Sequence, residues 1–581
     1  MKKHTLFMFI AFITGIMSCS SPTRPAASVA LAEPAEPAGR YYVKISGSDA
    51  NDGASWENAF QTLQKAIESA GPGYEIWVAA GMYRPTRNAA DKSTGDERDN
   101  AFVLKDSVAI YGGFPAEGNP TMSDRNWETY VSAMSGDIGV TGNPDDNCYH
   151  VVISVGVSDR TLLDGFTITG GNASFDEGMP DEGEDEDDLG RITVSGQPVS
   201  GECGGGMYNR TSSPTLKNII FRDSMASLHA GGIYNTRESS PALNHVSITG
   251  NSAGYGGGMS NKSESTPVLT HVTVSENKAD MGGGIYNDYS SPILNQVIIN
   301  KNVAEGRGGG IGGFGSHPFL TNVTVSENIA GKGGGFDIQN SYPVLVNVMI
   351  IGNKAKGNGG GLACLHSGPV LVNVLVSGNR AEEKGGGIYI WSSSATLINA
   401  TVSGNMARDG GGVFAYENNF TFPVLYNSIV FGNSSGMLQK ESKFPANFFH
   451  CLVQEMSAEE LNEFGLGNLN ANTVKGAIFA DPVNPAEAPA TGGDYRLAKG
   501  SAMINKGNSE CWNVAQGYFQ DPPNYSYWEY PRGNLGYKTV SALNEKTLIE
   551  IFTDNGVSIT DLDGKKRILG TVDVGAYEYK K

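Results

Sequence analysis

The chain has 581 residues, and 42 basic against 61 acidic side chains leave a formal net charge of −19, which repels a polyanion and sets nucleic-acid binding aside. Glycine, at 77 residues or about 13% of the chain, is nearly twice its usual ~7% while proline is ordinary, so collagen and Pro/Gly linkers are excluded. Apolar residues at 39% and charged residues at only 18% supply material for a core and argue against disorder.

The first apolar run, Thr5 to Ser18 behind Lys2 and Lys3, is too short to span a ~30 Å hydrocarbon layer comfortably. It reads as an export signal over residues 1–18. Its end, Ile16-Met17-Ser18-Cys19, resembles the lipobox of bacterial lipoproteins, in which the cysteine is acylated and becomes the new N-terminus; Met17 departs from the small residue usual there. A plain secretory signal cut nearby is the alternative. Residues 19–40, rich in Ser, Pro, Ala and Glu, then form a flexible tether.

The ordered part opens with Tyr41-Tyr42-Val43 and Gly47-Ser48-Asp49-Ala50-Asn51-Asp52-Gly53. Phe60, Leu63, Ile67 and Ala70 share one helical face that Gly71-Pro72 ends, which predicts a short helix plugging the N-terminal end of the fold. Further marks are Ile76-Trp77-Val78-Ala79-Ala80-Gly81-Met82-Tyr83, Tyr111-Gly112-Gly113-Phe114 and Leu163-Asp164-Gly165-Phe166-Thr167-Ile168. Nine acidic residues between Asp176 and Asp188 read as an exposed, solvated loop; a calcium site is the alternative, without any fixed ligand spacing to support it. Cys148, Cys203, Cys364, Cys451 and Cys511 are scattered and odd in number, which signals buried thiols and neither a zinc site nor a disulfide framework.

From there the chain repeats itself. Glycine pairs or triplets end at Gly206, Gly232, Gly258, Gly284, Gly310, Gly335, Gly361, Gly387 and Gly412, with every spacing 25 or 26 residues. Each is followed by an apolar residue such as Ile233, Ile285 or Ile388, and later by a leucine such as Leu345 or Leu371, two residues ahead of Asn347 or Asn373. A third mark carries Asn251, Asn277, Asn302, Asn328, Asn353, Asn379 and Asn405. Apolar residues alternate over only a few positions between Gly, Ser-Pro and Asn, which means short strands, and the glycines exclude a long helix. Strands recurring at this period form one turn of a parallel β-helix, each pairing with its copy ~4.8 Å away. Stacked aliphatics then make an inner column and asparagines an internal ladder, in which Asn347 and Asn373 are expected buried and paired. Beyond Asn433 the period is lost. The β-helix is therefore placed at 41–435, with regular repeats over about 203–433, and residues 436–581 read as an irregular C-terminal cover in which Ser457-x-x-Glu460 starts a helix by a capping box.

The Gly-Gly-Gly-Ile and Val/Ile-x-x-Asn marks resemble the right-handed parallel β-helix superfamily of pectate-lyase-like proteins, and within it the short repeats of polymorphic outer membrane proteins. The opening motifs, and the ending Asp561-Leu562-Asp563-Gly564 with Asp573-Val574-Gly575-Ala576-Tyr577-Glu578, are similar to a related group of exported bacterial β-helix proteins. The resemblance implies an all-β, single-stranded right-handed parallel β-helix with an N-terminal capping helix. It leaves activity open, since the superfamily hosts lyases, hydrolases and adhesins.

Stacking lets outward stripes be read directly. Beside the inner aliphatics, one stripe holds a single aspartate, Asp337, and the next a single one, Asp288, so the repeats lack the paired carboxylates of a hydrolase and the carboxylate cluster of a calcium-dependent lyase. Tyr389, Trp391, Phe414 and Tyr416 fall on two neighbouring coils and point outward, a candidate aromatic platform for sugar stacking; covering the backbone is the alternative. Asp49, Asp52, Asp561 and Asp563 weakly suggest calcium, though simple turns explain them as well. His245 and His271 stack on adjacent coils and either share a metal or act as hydrogen-bonding substitutes for Asn. The outward residues Val346, Val372 and Ile398, with Met349 and Leu375 on the next strand, turn apolar together, which predicts a cover drawn from residues 436–581 or from a partner protein.

The expectation is a lipid-anchored, exported protein at the outer membrane or cell surface of a Gram-negative bacterium, which binds a glycan, a host surface or an envelope partner. No cofactor is required and calcium is possible. The alternative is a polysaccharide lyase or glycoside hydrolase acting on an acidic or complex polysaccharide.

Overall fold

Equivalent strands recurring at a fixed period satisfy their backbone groups most directly by pairing with their own copies one coil along. The computed structural model describes residues 37–175, 190–416, 423–440, 447–463, 465–508, 561–563 and 573–577. Ile311, Phe336, Leu362, Ile388 and Val413 are successive parallel partners, as are Leu294, Leu320, Leu345, Leu371, Leu397 and Leu425. Among the described residues, parallel sheets of 24, 12 and 8 strands make the walls of a parallel β-helix. One coil runs from Phe336–Gln339 in the 12-stranded sheet through Val344–Val346 and Met349–Ile351 in the 24-stranded sheet to Lys354–Ala355 in the 8-stranded sheet.

The inward residues form one continuous core that includes Leu345, Ile350, Leu362, Ile388 and Ile390, each worth ~1.5–3 kcal/mol of burial. Helix α1 (Leu63–Ser69) begins at Thr62, whose side chain accepts from Lys65 N, and sends Leu63, Ala66 and Ile67 into that core together with Phe60 and Ala70.

The asparagines divide into columns with different tasks. Asn251, Asn277, Asn302, Asn328, Asn353, Asn379 and Asn405 are buried, and each donates its amide to the next at 2.9–3.0 Å, ending on Asn433. The column of Asn347 and Asn373 instead occupies a corner where φ is positive, at 55° and 54°. Gly165, His245, His271 and Gln296 share that corner and that sign of φ, which Asn and Gly adopt most readily. Asn373 is buried as expected, whereas Asn347 is half-buried, donates its Nδ2 to Asn322 Oδ1 at 3.3 Å and accepts from Asn373 Nδ2 at 3.2 Å, both longer than in the buried ladder. Here the main demand is conformational.

Pairing runs past residue 435, because the ladder needs only backbone: Met437–Lys440, Asn447–Phe449, Leu452–Val453 and Leu469–Asn470 each add to the stack. Ser457 and Glu460 make the reciprocal capping bonds at 2.8 and 3.2 Å that start α2 (Ala458–Glu463). An antiparallel pair, Phe479–Asp481 with Asp494–Leu497, then lies over the outer face, where Phe479, Tyr495 and Leu497 bury Leu375, Ile429 and Leu452. Hydrogen bonds from Asn508 N and Gly575 N to Asn427, and from Ala576 N to Thr401 Oγ1, tie the later residues to the same face. Val346, Val372 and Ile398 lie outside the inner core cluster and are nevertheless at most 1% exposed.

Candidate functional site

The outward stripes of the 12-stranded sheet carry a break. Tyr286, Gly312 and Asp337 are consecutive partners in one stripe, and Asp288, Phe314 and Gln339 in the next. A third file, Tyr255, Met281, Arg307 and Lys332, runs along the adjoining corner. A groove of about 300 Å³ lies at Gly312, lined by the rings of Tyr255, Tyr286 and Phe314 and by Arg307, Asp337 and Gln339. The two tyrosine rings pack at 5.1 Å.

Asp337 is only 1% exposed. Burial raises its pKa to about 6, partly offset by Arg307 and by the Gln339 hydrogen bond. Gln339 Nε2 donates to its Oδ1 at 2.9 Å, and Arg307 Nη1 stands 3.7 Å from the same oxygen, beyond hydrogen-bond reach. Asp337 Oδ2 and Arg307 Nη1 are both buried without a hydrogen-bond partner. Asp288, Arg307 and Gln339 are half-buried around them. Reading one stripe at a time placed Asp288 and Asp337 apart, but the structure brings both to one groove. The sequence signal was the lone glycine in an otherwise side-chain-bearing stripe.

The aromatic quartet divides into two pairs. Tyr389 and Phe414 stack at 5.8 Å and 14° but are 9% and 0% exposed, in a cluster with Ala363 and Leu365. Trp391 and Tyr416 present their rings, 39% and 44% exposed, edge to face at 6.3 Å. The Lys384 ammonium lies 4.9 Å from the Phe414 ring centroid and 5.7 Å from that of Tyr416. Trp391 and Tyr416 continue the stripe of Gln339 through Leu365, so they share a face with the groove.

The carboxylates considered for calcium have local duties. Asp49 accepts from Gln61 N and Thr62 N at 2.9 Å and from Thr62 Oγ1 at 2.7 Å, tying the opening loop to the start of α1. Asp52 accepts from Ala54 N at 3.0 Å. Asp561 is buried and Asp563 exposed. Among the described residues no group of three or more His, Cys, Asp or Glu is placed to hold a metal. The His245 and His271 rings stack at 4.8 Å, and Asn244 Oδ1 holds His245 Nδ1. Cys148, Cys203, Cys364 and Cys451 are buried, and burial pushes the Cys148 and Cys451 thiols up to about 12. Cys19, Cys511 and the acidic run from Asp176 to Asp188 lie outside the described residues.

The early motifs are structural as well. Asp164 pairs with Arg125 and accepts from Asn218 Nδ2 at 2.8 Å. Gly165, at φ 85°, leaves room for that guanidinium, since a Cβ there would meet Arg125 Nη2 at 2.2 Å. Trp77 and Phe114 stack at 4.7 Å.

With 12% identity and a TM-score of 0.39, the chain is similar to the crystal structure of pectate lyase Pel9A, over 94% of this chain and 97% of that one. It is similar to the GH136 lacto-N-biosidase from Eubacterium ramulus (12% identity, 70% and 68% covered, TM-score 0.30) and to PfbA, a surface adhesin of Streptococcus pneumoniae (10%, 67% and 87%, TM-score 0.23). No curated protein matches. Residues 373–390 match the Chlamydia polymorphic membrane protein repeat. Residues 45–342, just over half of the chain, match the family described as Protein of unknown function (DUF1565), and the chain belongs to that family.

Proposed function

We propose that this chain is an exported, lipid-anchored β-helix protein of the bacterial envelope that binds a glycan along the outward face of its 12-stranded sheet. The observation that carries the proposal is the alignment, in one register, of the aromatic-walled groove at Gly312 with the exposed rings of Trp391 and Tyr416. From Asp288 to Tyr416 that stripe spans five coil steps, roughly 24 Å at ~4.8 Å each. A long ligand thus meets rings toward both ends, with the polar Gln339 and the apolar Leu365 between them, a mixed surface that suits a sugar chain with apolar C–H faces and a hydroxyl rim. The lipid anchor rests on the lipobox at Cys19.

Cleavage is the second reading. It is favoured by one feature, a carboxyl raised to about 6 beside a guanidinium, as a general acid requires. The 1% exposure of Asp337 weighs against it, because a general acid must come within hydrogen-bond reach of the leaving oxygen.

A glycan array probed with the full chain tests the proposal. Binding that falls at least tenfold in Trp391→Ala and Tyr416→Ala supports it, and an array without bound glycans overturns it. Incubating each bound polysaccharide with the protein, with and without calcium, decides the second reading, since new unsaturated or reducing ends would establish cleavage.

A further inference from the structure

Resting on the glycan-face reading, we infer that this face takes an extended, ribbon-like glycan, the form of β-1,4-linked chains, and holds it at two aromatic stations at once. The first station is Phe314 with Tyr289, both half-buried and packed edge to face at 5.5 Å. Tyr289 lies over the next coil at Gly315, where a Cβ would meet its Cε1 at 2.7 Å. The second station is Trp391 with Tyr416, 39% and 44% exposed. Phe314, Gln339, Leu365, Trp391 and Tyr416 are successive parallel partners whose pairings carry no register shift, unlike the irregularity between Ala279 and Met281 in the 8-stranded sheet. From Phe314 to Trp391 the file makes three steps, roughly 14 Å at ~4.8 Å each, which about three sugar rings cover in an extended chain. Leu365 is only 8% exposed and Gln339 half-buried, so no protruding side chain of this stripe separates the two stations. An extended ribbon keeps its backbone along one line and returns the same C–H face to the sheet at regular intervals, so one ligand meets both sets of rings. A chain that winds, as α-1,4-linked glucans do, turns away from the file before the second station. Two contacts on one ligand raise its effective concentration at the second, and a stiff chain loses less freedom in making both.

The test is calorimetric titration of the full chain with cellohexaose, mannohexaose and xylohexaose, with the disaccharide of each, and with maltohexaose. At least one β-1,4-linked hexasaccharide is expected to bind at least tenfold more tightly than its own disaccharide and than maltohexaose. Phe314→Ala and Trp391→Ala should each weaken that hexasaccharide at least tenfold, down to the level of the disaccharide, because either substitution leaves a single station. Maltohexaose or a disaccharide that binds as tightly as the β-1,4-linked hexasaccharides overturns the inference. Undiminished hexasaccharide binding by Phe314→Ala, with an unchanged circular dichroism spectrum, overturns it as well. In those cases a loss of binding in Trp391→Ala keeps the glycan face, with one station only. If Phe314→Ala does not fold, Tyr289→Ala takes its place and the same tenfold loss is expected. If no β-1,4-linked hexasaccharide binds, the inference falls; a glycan array that still shows bound glycans keeps the glycan face, and an array without them removes both.

Discussion

Asn353 Nδ2 donates to Asn379 Oδ1 at 3.0 Å, and the same amide donates to Val325 O at 2.9 Å while its oxygen accepts from Asn328 N at 3.0 Å. A single buried side chain thus joins three coils. Its replacement by leucine leaves Val325 O, Asn328 N and the two neighbouring amides unmet, at about 1–3 kcal/mol for each group that water cannot reach. Asn353→Leu is expected to lower the denaturation midpoint more than any substitution in the Asn347 column, as chemical unfolding would read.

At Asn347 the demand is the backbone, with φ at 55°. Asn347→Leu forces a branched side chain into the left-handed region and should cost about 1–2 kcal/mol, while Asn347→Gly should lie within about 0.5 kcal/mol of the parent. Equal losses from the two substitutions would show that the side-chain contacts to Asn322 and Asn373 dominate instead.

Much of this was legible in the sequence, because a β-helix writes its period into the chain. The recurrence of Gly-Ile, Leu and Asn set the coil length and the inward columns, and the Phe60/Leu63/Ile67 face and the Ser457/Glu460 box located both helices. What stayed hidden depends on contacts between columns. Asp337, Asp288 and Arg307 belong to three different files and come together only where those files line one groove. The continuation of the stack through Leu452–Val453 and Leu469–Asn470 carries no glycine mark, since pairing there rests on backbone alone. Two asparagine columns looked alike in the sequence because the letter does not reveal whether Asn serves its amide or its tolerance of positive φ.

Asp337 gives the groove a pH dependence whose sign follows from its environment. Its folded pKa, about 6, lies above the ordinary 3.8, so between those values the folded state holds more protons than the unfolded one. Stability from this group is present below about pH 4 and declines as pH rises through 6. Asp337→Asn should therefore raise the melting temperature at pH 7.5 and leave it nearly unchanged at pH 4, an effect on the order of 1–3 kcal/mol. A variant that is destabilised at pH 7.5 would mean that the Arg307 ion pair outweighs the burial of the charge.

Anchoring is tested apart from the fold. Cys19→Ser should move the protein from the membrane fraction to the soluble one, because the acyl chains supply the membrane affinity, while its far-ultraviolet spectrum stays the same. Unchanged fractionation would remove the lipoprotein assignment and leave the plain secretory signal.

The C-terminal residues offer the sharpest test of how the apolar outer face is kept from water. Tyr495 is 3% exposed, packs edge to face with Phe479 at 5.4 Å, and accepts from Val483 N at 3.2 Å through its hydroxyl. It also seals Gly404, where a Cβ would lie 2.7 Å from that hydroxyl. Tyr495→Ala removes a ring from between the antiparallel pair and the coils, at a cost of about 3–5 kcal/mol for a buried aromatic. The coils hold their own ladders and core, so the loss should fall on the cover and spare the stack. Limited proteolysis is then expected to cut near residues 475–500 in Tyr495→Ala well before the repeats are touched, with a gain in binding of a hydrophobic dye to the uncovered Leu375, Ile429 and Leu452 face. Simultaneous loss of cover and coils would instead show that the two fold as one cooperative unit, in which the later coils cannot stand with that face exposed.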